Sequence, residues 1–241
     1  MSVAVRLDRR RPARELAATA AAALRLADWR LSAPPWPGFP APFAGQHGRA
    51  AALAALVADF QPDAIVETGT FLGLTTRALA AWGRPVYSIE LKPAFFHLAR
   101  AHTRRAAGVT LLCADSVAGL RWLRDHPRPR RPLAYLDAHW EARLPLHEEL
   151  MTLQAGWDDV LVVIDDCRVP DDAGYGYDTY AGIAIDASLL ELPPTARVAY
   201  PALPAPAEGG ARRGTLYAAW GPSAIRALET AREQGHVRAA A

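Results

Sequence analysis

The sequence has little cysteine, almost no lysine and no long run of apolar residues. Its two cysteines, Cys113 and Cys167, end apolar runs typical of buried strands, which favours core residues in a reducing cytoplasm over a disulfide. Lys92 is the single lysine. No run approaches the roughly 18 apolar residues of a membrane helix, and Arg25 interrupts the alanine-rich N-terminal stretch, which argues against a signal peptide. We therefore expect a cytoplasmic protein without a membrane partner.

The net charge is also small. A formal charge of +2, with arginines that are mostly scattered, does not indicate a nucleic-acid partner. Of the 241 residues, 51% are hydrophobic, which is enough for the full core of one α/β domain. We expect this domain over residues 46–241. Residues 1–45 are expected to form an N-terminal helix and a proline-rich arm, a candidate surface for homo-oligomer formation.

Short apolar runs alternate with helical patterns from Gln46 onward. Continuous rather than alternating hydrophobicity is typical of parallel strands covered on both faces. The last two runs face each other across a Pro/Gly-rich connection, which predicts an antiparallel last strand. The predicted fold is therefore α/β, with a doubly wound, seven-stranded, mostly parallel sheet. The predicted strands are 63–67, 86–90, 109–113, 133–137, 160–165, 196–200 and 214–220, and the predicted helices are 75–82, 93–106, 117–124, 146–157 and 180–192.

An acidic residue stands at or just after the end of each of the first five predicted strands. In an open α/β sheet, ligands bind beyond the carboxyl ends of the strands, so five acids there favour a ligand rich in hydroxyls, amines or positive charge. Gly69 and Gly73 allow a loop backbone to pass close to that ligand. The second acid is placed to accept hydrogen bonds from a ribose diol. The five acids are Glu67, Glu90, Asp115, Asp137 and Asp165.

The stretch VETGTFLGLTT, residues 66–76, resembles the first motif of class I S-adenosylmethionine (SAM)-dependent methyltransferases. The resemblance extends over about residues 46–220 and implies a Rossmann-like methyltransferase fold. It also implies that the glycine-rich turn holds the methionine part of SAM, that the second acid holds the ribose hydroxyls, and that the CADS segment meets the adenine. The cofactor residues implied in this way are Glu67, Gly69, Thr70, Gly73, Glu90, Asp115 and Ser116.

A nicotinamide-binding Rossmann domain is the nearest alternative, because it also uses glycines after the first strand and an acid after the second. Its G-x-G-x-x-G fingerprint is absent, since position 71 is Phe and the spacing is G-x-x-x-G. The pattern therefore favours the methyltransferase.

Three carboxylates, Asp137, Asp165 and Asp166, close neighbouring strands in YLDAHW and VIDDC. Without a partner they would repel one another, and a divalent cation would relieve that repulsion. Oxygen-only ligands favour Mg²⁺ or Mn²⁺ over zinc. The set resembles the metal ligands of metal-dependent O-methyltransferases of the catechol and macrolide-sugar kinds. It departs from the catechol branch, which usually has an amide in the acidic pair and a lysine base.

His139 lies two residues beyond Asp137 and resembles the histidine base of the sugar-modifying branch. Methyl transfer is an in-line displacement, so the enzyme positions the acceptor and removes its proton. A neutral imidazole can take a proton from a hydroxyl whose pKa a metal has lowered. The resemblance thus implies His139 and Asp137 as the catalytic residues. A structural hydrogen bond from His139 to Glu141 or to a backbone carbonyl is the alternative.

The stretch 167–182 follows the acidic pair and is rich in Tyr, Asp and Gly, which favours a loop over the crevice. We expect it to bind the acceptor through Tyr175 and Tyr177, with an ordinary solvated loop as the alternative. Arg212 and Arg213 precede the last strand and are candidates for binding an acidic group of the acceptor.

Together these features predict a Mg²⁺-assisted, SAM-dependent O-methyltransferase that acts on a hydroxyl of a small molecule, such as a sugar or a natural-product scaffold. One alternative is a metal-independent N- or O-methyltransferase whose acidic trio binds a cationic acceptor. The other is a non-catalytic or hydrolytic relative that binds a nucleoside and uses its metal for different chemistry.

Overall fold

The computed structural model describes residues 6–7, 17, 20, 23, 41–126, 128–138 and 144–240. The helices are α1 His47–Phe60, α2 Leu74–Ala80, α3 Pro93–Thr103, α4 Ser116–Asp125, α5 Leu146–Gly156 and α6 Pro222–Glu233. The strands are β1 Arg6–Leu7, β2 Ala64–Thr68, β3 Val86–Glu90, β4 Val109–Cys113, β5 Pro132–Leu136, β6 Val160–Asp165, β7 Thr179–Tyr180, β8 Ile183–Ala184, β9 Arg197–Pro201, β10 Thr215–Trp220 and β11 Val237–Arg238.

The central sheet has the strand order β1-β4-β3-β2-β5-β6-β10-β9-β11 among the described residues. Strands β2 to β6 pair in parallel, and β10 runs antiparallel to both β6 and β9. The α/β fold with an antiparallel strand at the end of the predicted series is therefore confirmed. The seven predicted strands all form, and the two-residue strands β1 and β11 extend the edges to nine.

The apolar run of β6 shows why these strands lie at the centre. All six of its residues are buried. Val160, Val162 and Ile164 belong to the core on one face of the sheet, whereas Leu161 and Val163 belong to the core on the other face. Because successive side chains of a strand point to opposite faces, a strand covered on both faces is apolar along most of its length, as β6 is from Val160 to Ile164.

The predicted helix over 180–192 is wrong. The chain there forms a hairpin from β7 and β8, followed by a 3₁₀ turn at Ala187–Leu189. Ala181 and Gly182, between the two strands, both have positive φ, which is the requirement of a type I′ hairpin turn. Helices α1 and α6 are not among the predicted helices.

The predicted N-terminal helix and proline-rich arm lie mostly outside the described residues. Pro42–Gly45 is described and forms a 3₁₀ turn, in which Phe43 stacks on Trp82 with ring centroids 5.9 Å apart. The end of the arm therefore packs onto the domain. Within the described part of the chain, no helix is long and apolar enough to cross a membrane.

Candidate functional site

A cavity of about 430 Å³ opens at the carboxyl ends of β2, β5 and β6. The predicted site residues that line it are Gly69, Thr70, Asp137, Asp165, Asp166 and Arg213. Apolar side chains form much of the remaining wall, among them Phe43, Phe71 and Leu72. The cavity is therefore where an open α/β sheet binds its ligands, and it combines an apolar wall with several carboxylates.

The glycine-rich turn between β2 and α2 has a left-handed backbone at three positions. Gly69, Phe71 and Gly73 have φ values of 80°, 49° and 72°. A Cβ atom on Gly69 would lie 2.1 Å from the backbone oxygen of Asp137, so only glycine fits there. Left-handed Phe71 is unfavourable for a residue with a side chain, and such strain concentrates at ligand-binding loops. Gly69 thus lies against the cavity, whereas Gly73 packs against Ala99 and Thr103 of α3 and does not line it.

Glu67 is buried beneath this turn and does not line the cavity. Its Oε2 accepts hydrogen bonds from the hydroxyls of Thr76 and Ser88, both at 2.5 Å, and the Ser88 hydroxyl also lies 2.6 Å from that of Thr70. Burial raises the pKa of Glu67 to about 7, although the two hydroxyls oppose that rise. Glu67 therefore supports the turn from below through a hydrogen-bond cluster.

Glu90 ends β3 beside the same turn. Its two carboxylate oxygens accept hydrogen bonds from the backbone N–H groups of Phe71 and Lys92, each at 2.8 Å. Burial raises the pKa of Glu90, and these two N–H groups counteract the rise. The carboxylate is thus held in place between the glycine-rich turn and the start of α3. A carboxylate oxygen has two lone pairs and can accept more than one hydrogen bond.

Asp115 and Ser116 begin α4, one strand farther from the cavity. The Oδ1 atom of Asp115 accepts hydrogen bonds from the N–H groups of Val117 and Ala118 at 3.1 and 3.2 Å, so Asp115 is the N-cap of the helix. Ser116 is buried. A capping role accounts for Asp115 at this position.

A buried arginine, Arg49, lies under the floor of the cavity. Its Nη1 donates to Oδ2 of Asp165 at 2.5 Å, and the Tyr135 hydroxyl donates to the same oxygen at 2.6 Å. The Asp166 N–H donates to the other oxygen, Oδ1, at 2.8 Å. Burial opposes the charge of Arg49, but Asp165 acts together with Tyr135, Tyr217 and Asp166 to raise the pKa of Arg49 above its ordinary value. Both oxygens of Asp165 are thus engaged by protein donors.

Arg213 makes the second ion pair, at the cavity wall. Its Nε donates to Oδ1 of Asp166 and its Nη2 to Oδ1 of Asp178. The backbone of Arg213 is fixed as well: its N–H donates to the side chain of Gln46 at 2.7 Å, and its carbonyl accepts from Arg49 Nη2 at 2.7 Å. Helix α1 therefore positions Arg213 against the acidic pair.

These ion pairs do not fit the predicted Mg²⁺ or Mn²⁺ site. Among residues 41–126, 128–138 and 144–240, no group of three His, Cys, Asp or Glu side chains is arranged to hold a metal ion. Arg49 and Arg213 contact two of the three predicted ligands, Asp165 and Asp166, and a guanidinium at that distance repels a divalent cation. The third, Asp137, has a pKa well above the ordinary value, because of burial first and then the charges of Asp165 and Asp166.

The predicted acceptor residues are dispersed. Tyr175 is 2% exposed, packs in the core and donates its hydroxyl to the Leu203 carbonyl at 2.8 Å. Tyr177 is 40% exposed and Arg168 lies over its ring. Arg212 donates to the Glu208 carbonyl at 3.2 Å. None of these three residues lines the cavity.

The predicted base, His139, lies outside the described residues, in the gap 139–143. The neighbouring catalytic candidate Asp137 is at the cavity, where its N–H donates to the Thr68 carbonyl at 3.1 Å.

Several residues of the site are missed by the sequence patterns. Arg49 and Gln46 lie at the start of α1, more than 100 positions before their partners, and no local pattern distinguishes them. Tyr135 is hidden in an apolar strand. Asp178 is the exception, because the Tyr-, Asp- and Gly-rich composition of 167–182 already indicates a loop over the crevice.

No protein-family model and no curated protein matches the chain. Solved structures do match. An O-methyltransferase from Bacillus cereus in complex with S-adenosylhomocysteine (SAH) has a TM-score of 0.55 and 16% identity, covering 85% of this chain and 91% of that chain. A putative O-methyltransferase from Klebsiella pneumoniae has a TM-score of 0.56 and 17% identity, covering 89% and 92%.

A third similar structure is TomG from Streptomyces achromogenes, an O-methyltransferase involved in tomaymycin synthesis, in complex with SAM. Its TM-score is 0.53 and its identity 17%, covering 85% of this chain and 90% of that chain. At such identities the likeness is one of fold. The chain has the Rossmann-like fold of these O-methyltransferases.

Proposed function

We propose that the protein is a SAM-dependent O-methyltransferase that methylates a hydroxyl of a small molecule. The observation that carries the proposal is the pairing of the left-handed turn Gly69–Gly73 with Glu90. The turn presents its backbone to the cavity, and Glu90 is fixed beside it by the N–H groups of Phe71 and Lys92. Three structures of the same fold are O-methyltransferases, two of them in complex with SAH or SAM.

In this proposal the turn binds the methionine part of SAM, with Thr70 at the cavity and Glu67 supporting it from below. Glu90 accepts hydrogen bonds from the ribose hydroxyls, and Asp115 with Ser116 meets the adenine. A carboxylate with free acceptor sites is the appropriate partner for a diol.

The acceptor binds in the same cavity, beyond the methyl group, against Phe43 and Phe71. A volume of about 430 Å³ fits a small molecule. Of the predicted acceptor residues, Arg213 lines this space. Tyr177 does not line it, but its neighbour Asp178 in the loop 167–182 does. The proposal includes no metal, because the described carboxylates do not fit one. His139 remains the proposed base that removes the hydroxyl proton. We further propose a cytoplasmic location, no nucleic-acid or membrane partner, and self-association through the N-terminal arm.

Methylation of an amine is the second candidate. Four carboxylates line the cavity, Asp137, Asp165, Asp166 and Asp178, and Arg213 is the arginine among the lining residues. An excess of carboxylates favours a cationic acceptor, which an amine supplies.

The test is turnover. The protein is incubated with SAM and pairs of small molecules that differ only in carrying a hydroxyl or an amine, and SAH formation and product mass are measured. Methylated hydroxyl products support the proposal, and methylated amines support the second candidate. If the protein binds SAH but forms no SAH from SAM with any hydroxyl or amine acceptor, both candidates are contradicted. The variant Glu90→Ala serves as the control that removes the ribose contact.

A further inference from the structure

Two carboxylates of the acidic trio, Asp165 and Asp166, form ion pairs with arginines of the chain itself. Asp165 is neutralised by Arg49, whose side chain is 1% exposed, and Asp166 by Arg213. Arg213 also reaches Asp178, which joins the loop 167–182 to the same cluster. We propose that Arg49 and Arg213 occupy the place of a divalent metal in this site, so that methyl transfer proceeds without one. This inference rests on the proposed function.

Both carboxylate oxygens of Asp165 accept hydrogen bonds from the protein. A carboxylate that ligates a metal must turn a lone pair toward the ion. Here Oδ2 accepts from both Arg49 and Tyr135, at 2.5 and 2.6 Å, and Oδ1 accepts from the N–H of Asp166 at 2.8 Å. Removing Arg49 would leave Asp165 as a buried carboxylate without its cation, which is strongly unfavourable. Asp165 is therefore committed to the protein.

Arg213 lies between Asp166 and Asp178 and pairs with both. A guanidinium binds two carboxylates through separate N–H groups, as a metal does through separate coordination sites. Arg213 is held in this bridging position by its backbone, through Gln46 and Arg49, and by the close approach of Gly176. A Cβ atom on Gly176 would lie 3.1 Å from Nη1 of Arg213. The arginine is thus a fixed part of the wall and not a flexible surface side chain.

The two arginines also lower the affinity of the cavity for a divalent cation. Arg49 and Arg213 pair with three of the four carboxylates that line the cavity, Asp165, Asp166 and Asp178. Affinity for a hard divalent cation rises with the number of uncompensated carboxylates around it. With Arg213 in place we expect no Mn²⁺ binding, because its guanidinium holds Asp166 and Asp178. Arg213→Gln takes that positive charge away from both carboxylates and should favour a cation.

The experiment measures Mn²⁺ binding by electron paramagnetic resonance and needs neither acceptor nor turnover. The protein is first dialysed against EDTA. Wild type is compared with Arg213→Gln, which removes the charge while keeping a polar side chain. The matched control is Arg212→Gln, because the neighbouring Arg212 donates to the Glu208 carbonyl. We expect Arg213→Gln to bind Mn²⁺ roughly tenfold or more tightly than wild type and Arg212→Gln to behave as wild type.

Two results would overturn the inference. One is Mn²⁺ binding by wild type at submillimolar concentration that Asp166→Asn abolishes. The other is a folded Arg213→Gln protein, judged by circular dichroism, that gains no Mn²⁺ binding. Once an acceptor is found, undiminished wild-type turnover in EDTA supports the inference and metal-dependent turnover refutes it. Failure of wild type to bind SAH would instead count against the proposed function and leave the Mn²⁺ comparison intact.

Discussion

Arg49 and Asp165 lie 116 positions apart in the chain and form a buried ion pair, with Nη1 2.5 Å from Oδ2, beneath the cavity. The pair joins the first turn of α1 to the end of β6, and Tyr135 of β5 shares it. Its integrity sets both the shape and the charge of the cavity floor.

The first prediction concerns the stability that this pair maintains. Arg49→Met leaves Asp165 as a buried carboxylate without its cation, and we expect a loss of about 3–5 kcal/mol in the free energy of unfolding. Urea denaturation measures it. The double variant Arg49→Met/Asp165→Asn removes the orphaned charge and should recover most of the loss. A double variant no more stable than Arg49→Met would show that the loss does not come from the unpaired carboxylate.

A second prediction separates close packing from backbone strain at the glycine-rich turn. Gly69 and Gly83 both have positive φ, but a Cβ on Gly83 would meet nothing within 4 Å. Gly83→Ala should therefore cost only the backbone penalty of about 1–2 kcal/mol. Gly69→Ala adds an overlap with the Asp137 carbonyl, and we expect a larger loss of thermal stability together with loss of SAH binding. Equal effects of the two substitutions would refute the close approach.

The central fold was predictable from sequence because β2 to β6 are short, mostly apolar runs without strict alternation, which is typical of parallel strands covered on both faces. The helix over 180–192 was mispredicted because the chain there starts with a hairpin. The turn of this hairpin depends on the positive φ of Ala181 and Gly182, which the apolar pattern does not indicate. The carboxylates were found because each ends a strand. Arg49 was not found, because only tertiary structure brings it to Asp165. Arg213 was named as a candidate for acceptor binding, but its pairing with Asp166 and Asp178 was not predicted, since it too depends on tertiary structure.

The third prediction uses the raised pKa of Glu67, about 7 in the folded protein against an ordinary value of 4.5. Between those values the folded state binds more protons than the unfolded state, so this group's contribution to stability is lost as pH rises from 4.5 through 7. Glu67→Gln does not ionise, and its amide oxygen can still accept from Thr76 and Ser88. Its stability relative to wild type should rise by at most about 3 kcal/mol between pH 5 and pH 8.

Thermal unfolding at several pH values measures this difference. Glu229→Gln, a change at an exposed position of α6, is the matched control and should show no such trend. A constant difference between Glu67→Gln and wild type across the pH range would mean that Glu67 ionises normally.

The fourth prediction distinguishes the two tyrosines of the loop 167–182. Tyr175→Phe loses the hydrogen bond to the Leu203 carbonyl, so we expect about 1 kcal/mol less stability and an unchanged KM for the acceptor. Tyr177→Ala, at an exposed position, should leave stability unchanged and raise that KM if the loop contacts the acceptor. If Tyr175→Phe alone changed the KM for the acceptor, Tyr175 and not Tyr177 would be the residue that contacts the acceptor.

The central claim is that the turn at Gly69–Gly73 and Glu90 form a SAM site, and calorimetric titration with SAH tests it most directly. We predict that wild type binds SAH and that Glu90→Ala binds it roughly ten- to a hundredfold more weakly, since charge-assisted hydrogen bonds to the ribose are worth about 1.5–3 kcal/mol. Glu90→Gln, which can still accept one of the loop N–H groups, controls for disturbance of the turn and should fall between the two. No SAH binding by wild type, or equal affinity in Glu90→Ala, would contradict the account.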